Sequence, residues 1–168
     1  MPPFYNIYAL SKQRNQIDIE KFLNYFSYRN EIENRSGQEI IALENANDKN
    51  EIRLPINVLR EVLEFGVKNS DYCFVFYIND NLKEDIKEVI LKFTSDRQII
   101  FGVSIESKKI IEDGSLVDNY DRACELEKLL SDIAATSKTS IQIEYAPADN
   151  EEEFDEDIHY WKAVNKLK

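Results

Sequence analysis

The chain has 168 residues, 43% of them hydrophobic and 11% aromatic, which is enough to bury a core of its own within one domain. Its 32 acidic against 21 basic side chains leave a net charge of -11. That balance repels phosphate, so nucleic acid and anionic membrane surfaces are disfavoured as partners.

Phe4 to Leu10 is dense in aromatic and aliphatic residues and predicts a strand. Ile19, Phe22, Leu23 and Phe26 follow at i, i+3, i+4, i+7, one face of a helix, with Asp18 placed to cap it. Asn34-Arg35-Ser36-Gly37 reads as a loop before a short strand over Glu39 to Leu43, and Asn45 to Asn50 reads as a second loop. Glu51 to Leu54 adds a small strand. Pro55 suits a helix entry, and Val58, Leu59, Val62, Leu63 and Gly66 trace the next apolar stripe.

Tyr72 to Ile78 has no polar alternation, as a strand covered on both faces requires, and is expected to be the central strand. Asn81 with Glu84 resembles a capping box ahead of Leu82, Ile86, Val89, Ile90 and Phe93, which predicts the clearest helix of the chain. Ile99 to Ile105 returns as a strand. Glu106-Ser107-Lys108-Lys109 can turn it into a short partner at Ile110-Ile111, before the Asp113-Gly114 break. Ala123, Leu126, Leu130, Ile133 and Ala134 form a fourth helical stripe. Ile141, Ile143 and Tyr145 alternate with Ser140, Gln142 and Glu144, the pattern of a strand with one wet face.

This order predicts a single-domain α/β or α+β fold: one mostly single, mixed sheet of about five to seven strands, packed with about four to five helices. Residues 1–148 are expected to form the compact domain, with 149–168 an acidic segment and short terminal helix packed on it. The N-terminus lacks the basic and long apolar regions of a secretory signal, and the longest apolar run, Tyr72 to Ile78, is too short to span a bilayer. Two cysteines, Cys73 and Cys124, make no disulfide framework and are expected to be reduced, partly buried thiols of a cytoplasmic protein.

Charge is concentrated near the end. Residues 1–84 carry 13 acidic and 10 basic groups, residues 85–168 carry 19 and 11. Seven of the nine residues from Asp149 to Asp157 are acidic: Asp149, Glu151, Glu152, Glu153, Asp155, Glu156 and Asp157. Ile158, His159, Tyr160 and Trp161 follow directly, so the sole histidine and sole tryptophan adjoin the densest charge. One reading is a docking surface for a basic protein, with Tyr160 and Trp161 as aromatic anchors and the carboxylates steering the encounter. The other is a solvated charged loop followed by a helix that packs Ile158 and Trp161 onto the body. A calcium-binding EF-hand loop counted from Asp149 would need glycine and glutamate where Phe154 and Tyr160 stand, so that motif is excluded.

Chemistry has few supports. Glu106-Ser107-Lys108 matches the Glu-x-Lys element of metal-dependent nucleases, with Asp80 or Asp96 as the candidate second acid. His159 is the one imidazole available as a base for Cys73, Cys124 or a serine. No GxGxxG, Walker loop, CxxC or HExxH occurs, so no cofactor or metal is expected. On the first helix, Tyr28 points away from the apolar stripe and Tyr25 flanks it. Beside Arg29 they mark either an interface or rings capped by the Asn30 to Ser36 loop.

The expectation is a non-catalytic acidic protein-binding domain with a basic protein partner, such as an immunity or antitoxin-type neutraliser of a nuclease-like toxin. The alternatives are a divalent-metal-dependent hydrolase or nuclease-like enzyme using Glu106 and Lys108, and a structural or regulatory subunit. Homo-oligomerisation stays open.

Overall fold

The computed structural model describes residues 3–28, 40–55 and 59–167. Within them the elements run β1 (Phe4–Ser11), α1 (Gln16–Phe26), β2 (Ile40–Asn45), β3 (Glu51–Pro55), α2 (Leu59–Lys68), β4 (Tyr72–Ile78), β5 (Glu88–Phe93), β6 (Ile99–Glu106), β7 (Lys108–Ile110), β8 (Leu116–Asp118), α3 (Tyr120–Ala134), β9 (Thr139–Ile143) and α4 (Glu151–Asn165). Seven strands form one sheet in the order β3-β2-β4-β5-β6-β1-β9, and β7 with β8 makes a separate two-stranded ribbon. Every pairing is antiparallel, where a mixed sheet was expected. The fold is a single-domain α+β architecture. No helix among the described residues is long and apolar enough to cross a membrane.

Side chains alternate across the sheet, and the two faces are covered differently. On the first face Ile7, Phe74, Phe76, Leu91, Phe93, Phe101 and Val103 pack with Phe22, Leu63, Leu126 and Leu130 of α1, α2 and α3. On the second face Tyr8, Leu10, Ile90 and Ile100 pack with Phe154 and Ile158 of α4. The stripes expected for α1, α2 and α3 are the faces these helices bury; Val58 lies outside the described residues, as do Glu39 and the Asn30 to Ser36 loop.

The largest correction concerns Asn81 to Phe93, expected as a helix. Asn81 and Glu84 sit at φ 55° and 49°, in the left-handed region that an α-helix excludes. The chain reaches Glu88 without forming one, then enters β5, whose Val89, Ile90 and Leu91 are all buried. Ile86, Val89, Ile90 and Phe93 have helical spacing, but three consecutive apolar residues serve both faces of a covered strand equally well. β5, not β4, is therefore the middle strand of the seven; β4 leaves Tyr77 45% exposed on the second face.

Smaller corrections follow the same logic. Asn15, not Asp18, caps α1, its side chain accepting from the Ile17 and Asp18 amides at 2.8 and 3.3 Å. Pro55 ends β3 instead of opening a helix. Lys108–Ile110 pairs with Leu116–Asp118 across the Asp113-Gly114 turn and not with β6. Ser140 and Gln142, expected on a wet face, are 3% and 0% exposed.

Arg14, just after β1, is only 8% exposed. Its guanidinium donates to the carbonyls of Gly66 (2.7 Å), Thr94 (2.9 Å), Gln98 (3.2 Å) and Asn69 (3.3 Å). It also lies 4.9 Å from the Phe93 ring centroid. Burial lowers its pKa to about 10. The cation thus closes the carbonyl end of α2, where the helix dipole is negative, and ties it to the β5–β6 turn.

Candidate functional site

From Glu151 onward the acidic run is helical. Asn150 caps α4 by accepting from the Glu153 amide at 2.9 Å, and Glu151, Glu152 and Glu153 fill the first turn, where carboxylates complement the dipole. Phe154, Ile158 and Trp161 recur at i, i+4, i+7 and turn inward, with Phe154 0% and Trp161 8% exposed. Trp161 packs edge-on against Tyr145 and Tyr160, with centroids at 6.0 and 5.1 Å. Its area is committed to its own protein, so of the two expected anchors Tyr160 remains, 60% exposed.

The carboxylates divide into two groups. Lys138 binds Glu151 at 2.6 Å and Asp155 at 2.8 Å, and Lys92 binds Asp149 at 3.3 Å. Glu151 is thereby held below the usual carboxylate range, by its hydrogen bonds to Lys138 and then Gln98. Glu152, Glu153 and Glu156 are exposed and form no ion pair among the described residues. Asp157 faces partly inward, and burial, reinforced by Glu153 and Glu156, raises its pKa from 3.8 to about 6. One of its oxygens is buried without a hydrogen-bond partner, as is the side-chain carbonyl of Gln142. At the far end of the helix the Asn165 amide donates to the Ile141 carbonyl of β9 at 2.9 Å.

Beside α4, the second face of the sheet is not fully covered. A hollow of about 280 Å³ is lined by the aromatic residues Phe4, Tyr8, Tyr77 and Tyr145 together with Glu88, Glu144, Asn6, Ser104 and Lys87. Glu144 turns the chain there at φ 46°, so that the Tyr145 carbonyl accepts from the Tyr8 hydroxyl (2.6 Å) and the Asn6 amide (3.0 Å). The Ser104 hydroxyl donates to Asn6 at 2.6 Å. The Tyr8 ring lies against Gly102, where a Cβ would come within 2.6 Å of it, so glycine is required by close approach. Burial pushes the Glu88 carboxyl and the Tyr77 hydroxyl upward.

The remaining sequence candidates are dispersed. Glu106 ends β6 and pairs with Lys87 at 3.8 Å, whereas Lys108 pairs with Asp118 at 3.9 Å. Asp96 stands at the opposite end of β6, about 25 Å of strand away, and is held by the Glu151 amide, Thr94 and Gln98. Asp80 follows β4. Among the described residues no group of three or more His, Cys, Asp or Glu gathers as metal ligands. Cys73 donates to the Glu44 carbonyl at 3.3 Å, Cys124 lies on α3, and burial pushes both thiols up. His159 is exposed on α4 and makes no hydrogen bond to either thiol. Tyr25 and Tyr28 are each 54% exposed, Tyr28 with the Lys83 amine 5.6 Å from its ring; Arg29 lies outside the described residues.

Compared with known proteins, the chain matches no family model, no curated protein and no solved structure.

Proposed function

We propose that this is a non-catalytic, cytoplasmic protein-binding domain that docks a basic protein on the outward face of α4. The observation that carries the reading is the sorting of charge on that helix. Glu151 and Asp155 are neutralised by Lys138, while Glu152, Glu153 and Glu156 stand exposed near Tyr160 and form no ion pair among the described residues. Carboxylates held on a rigid, capped helix need no reorganisation to meet a cationic surface, and their field speeds encounter. A neutraliser of a cationic, nuclease-like toxin is one concrete form of this function, because its carboxylates would occupy the surface that otherwise takes phosphate.

The test uses an octa-arginine peptide and isothermal titration at low ionic strength. The triple variant Glu152→Gln, Glu153→Gln, Glu156→Gln is expected to weaken binding at least about tenfold, since each exposed charge pair contributes up to about 1 kcal/mol. A control variant neutralising Glu61, Asp121 and Asp132 on α2 and α3, all exposed, keeps the affinity near that of the parent. Equal losses in both variants would reduce the effect to net charge and overturn the assignment to α4.

A further inference from the structure

We infer that the hollow beside α4 receives one cationic side chain, an arginine guanidinium or lysine ammonium, supplied by the basic partner. The inference rests on the docking reading for the source of that cation, and on the hollow itself for its chemistry. Four of the lining residues, Phe4, Tyr8, Tyr77 and Tyr145, present aromatic rings, and two, Glu88 and Glu144, are carboxylates. Aromatic faces attract cations through their quadrupole, the more strongly when solvent is partly excluded. Glu88 is half-buried and forms no ion pair or hydrogen bond among the described residues, so its charge is uncompensated in the resting protein. The one cation in the lining, Lys87, is already drawn to Glu106 at 3.8 Å. An anion would face both carboxylates without a free counter-charge.

Size and rigidity point the same way. About 280 Å³ is close to the lower limit of small-molecule sites, roughly 300 Å³, and suits the head and stem of one long side chain. Tyr8 is fixed from below by Gly102 and from above by the Tyr145 carbonyl. The left-handed Glu144 is a strained position that the surrounding bonds hold in place. Such a pocket binds without having to be ordered first. It also adjoins the proposed docking face: Tyr145, on its rim, touches Trp161, which touches Tyr160 on the face of α4. A chain lying on α4 could place one residue in the hollow.

The full chain is titrated with N-acetyl-arginine amide, N-acetyl-lysine amide and tetramethylammonium, following backbone amides by NMR. Both capped amino acids are expected to shift residues 87, 88, 104 and 144–146 with millimolar affinity. Glu88→Gln, which keeps the shape, and Tyr77→Leu, which keeps apolar bulk at a half-exposed site, should each weaken this at least about fivefold. Absence of shifts at these residues, or shifts unchanged in Glu88→Gln, would overturn the inference. A stronger response to tetramethylammonium than to capped arginine would overturn the side-chain assignment in favour of a free quaternary amine. The α4 triple variant separates the two readings: it should lose octa-arginine binding while leaving the capped-arginine titration unchanged. If octa-arginine binding depends on α4 but the capped amino acids leave the hollow silent, docking stands and the pocket falls.

Discussion

The two faces of the central sheet are made by the same strands but are finished differently. The first is sealed by three helices and is almost wholly apolar. The second is half covered by one helix and mixes Tyr8, Ser140, Gln142 and Asp157 with Leu10, Ile90 and Phe154. Stability belongs to the first face, where burial is complete. The docking proposed above would use the second, where rings and carboxylates are held firmly without being covered.

The contrast can be broken first from its strong side. Phe101 is 0% exposed and packs edge-on against Phe22 at 5.0 Å. Phe101→Ala should cost about 3–5 kcal/mol, lowering Tm on the order of 10 °C in a thermal melt. A drop of only a degree or two would mean the first face is not the seat of stability. On the second face, Gly102→Ala forces a methyl group toward Tyr8 and should cost about 1–3 kcal/mol. The Tyr145 amide resonance should move with it, because the displaced ring loosens the hydroxyl bond to the Tyr145 carbonyl. Retention of both Tm and that resonance would show the hollow to be more yielding than a built receptor.

The smallest effect sharpens the comparison by pH. Folding raises the Asp157 pKa from 3.8 to about 6, so the folded chain takes up a proton between those values. The stability linked to this group is complete below about pH 4 and is lost as pH rises through 6. Asp157→Asn should therefore be more stable than the parent at pH 7.5, by a few degrees in Tm, and the gap should close by pH 4. A destabilised Asp157→Asn at pH 7.5 would mean that the ionised carboxylate has a stabilising partner under the helix.

Much of this frame was legible in the sequence because single periodicities dominate single elements. Phe22 and Phe26, Val62 and Gly66, and Leu126 and Leu130 repeat on one helix face each, and Ile99 to Ile105 carries no competing pattern. Val89-Ile90-Leu91 misled because Ile86, Val89, Ile90 and Phe93 satisfy helix spacing, and nothing local reveals that Asn81 and Glu84 adopt positive φ. The acidic segment was visible as charge, but its helix was hidden by that charge; Phe154, Ile158 and Trp161 at i, i+4, i+7 were the signal that would have extended the terminal helix back to Glu151. The hollow was not legible, since Phe4, Tyr8, Tyr77, Glu88, Ser104 and Tyr145 come from five separate segments and meet only through strand order. The role of Arg14 was not legible either, because the α2 carbonyls and the β5–β6 turn that close around it are distant in sequence.

The bond from Asn165 to the Ile141 carbonyl gives α4 another task. β9 is an outer strand of the sheet, and an outer strand offers backbone groups on which a second copy of the chain could add itself. α4 occupies that flank and covers the apolar residues next to it. Its inward residues thus serve two ends at once, filling the second face of the sheet and holding the helix where its last turn occupies a backbone acceptor of β9.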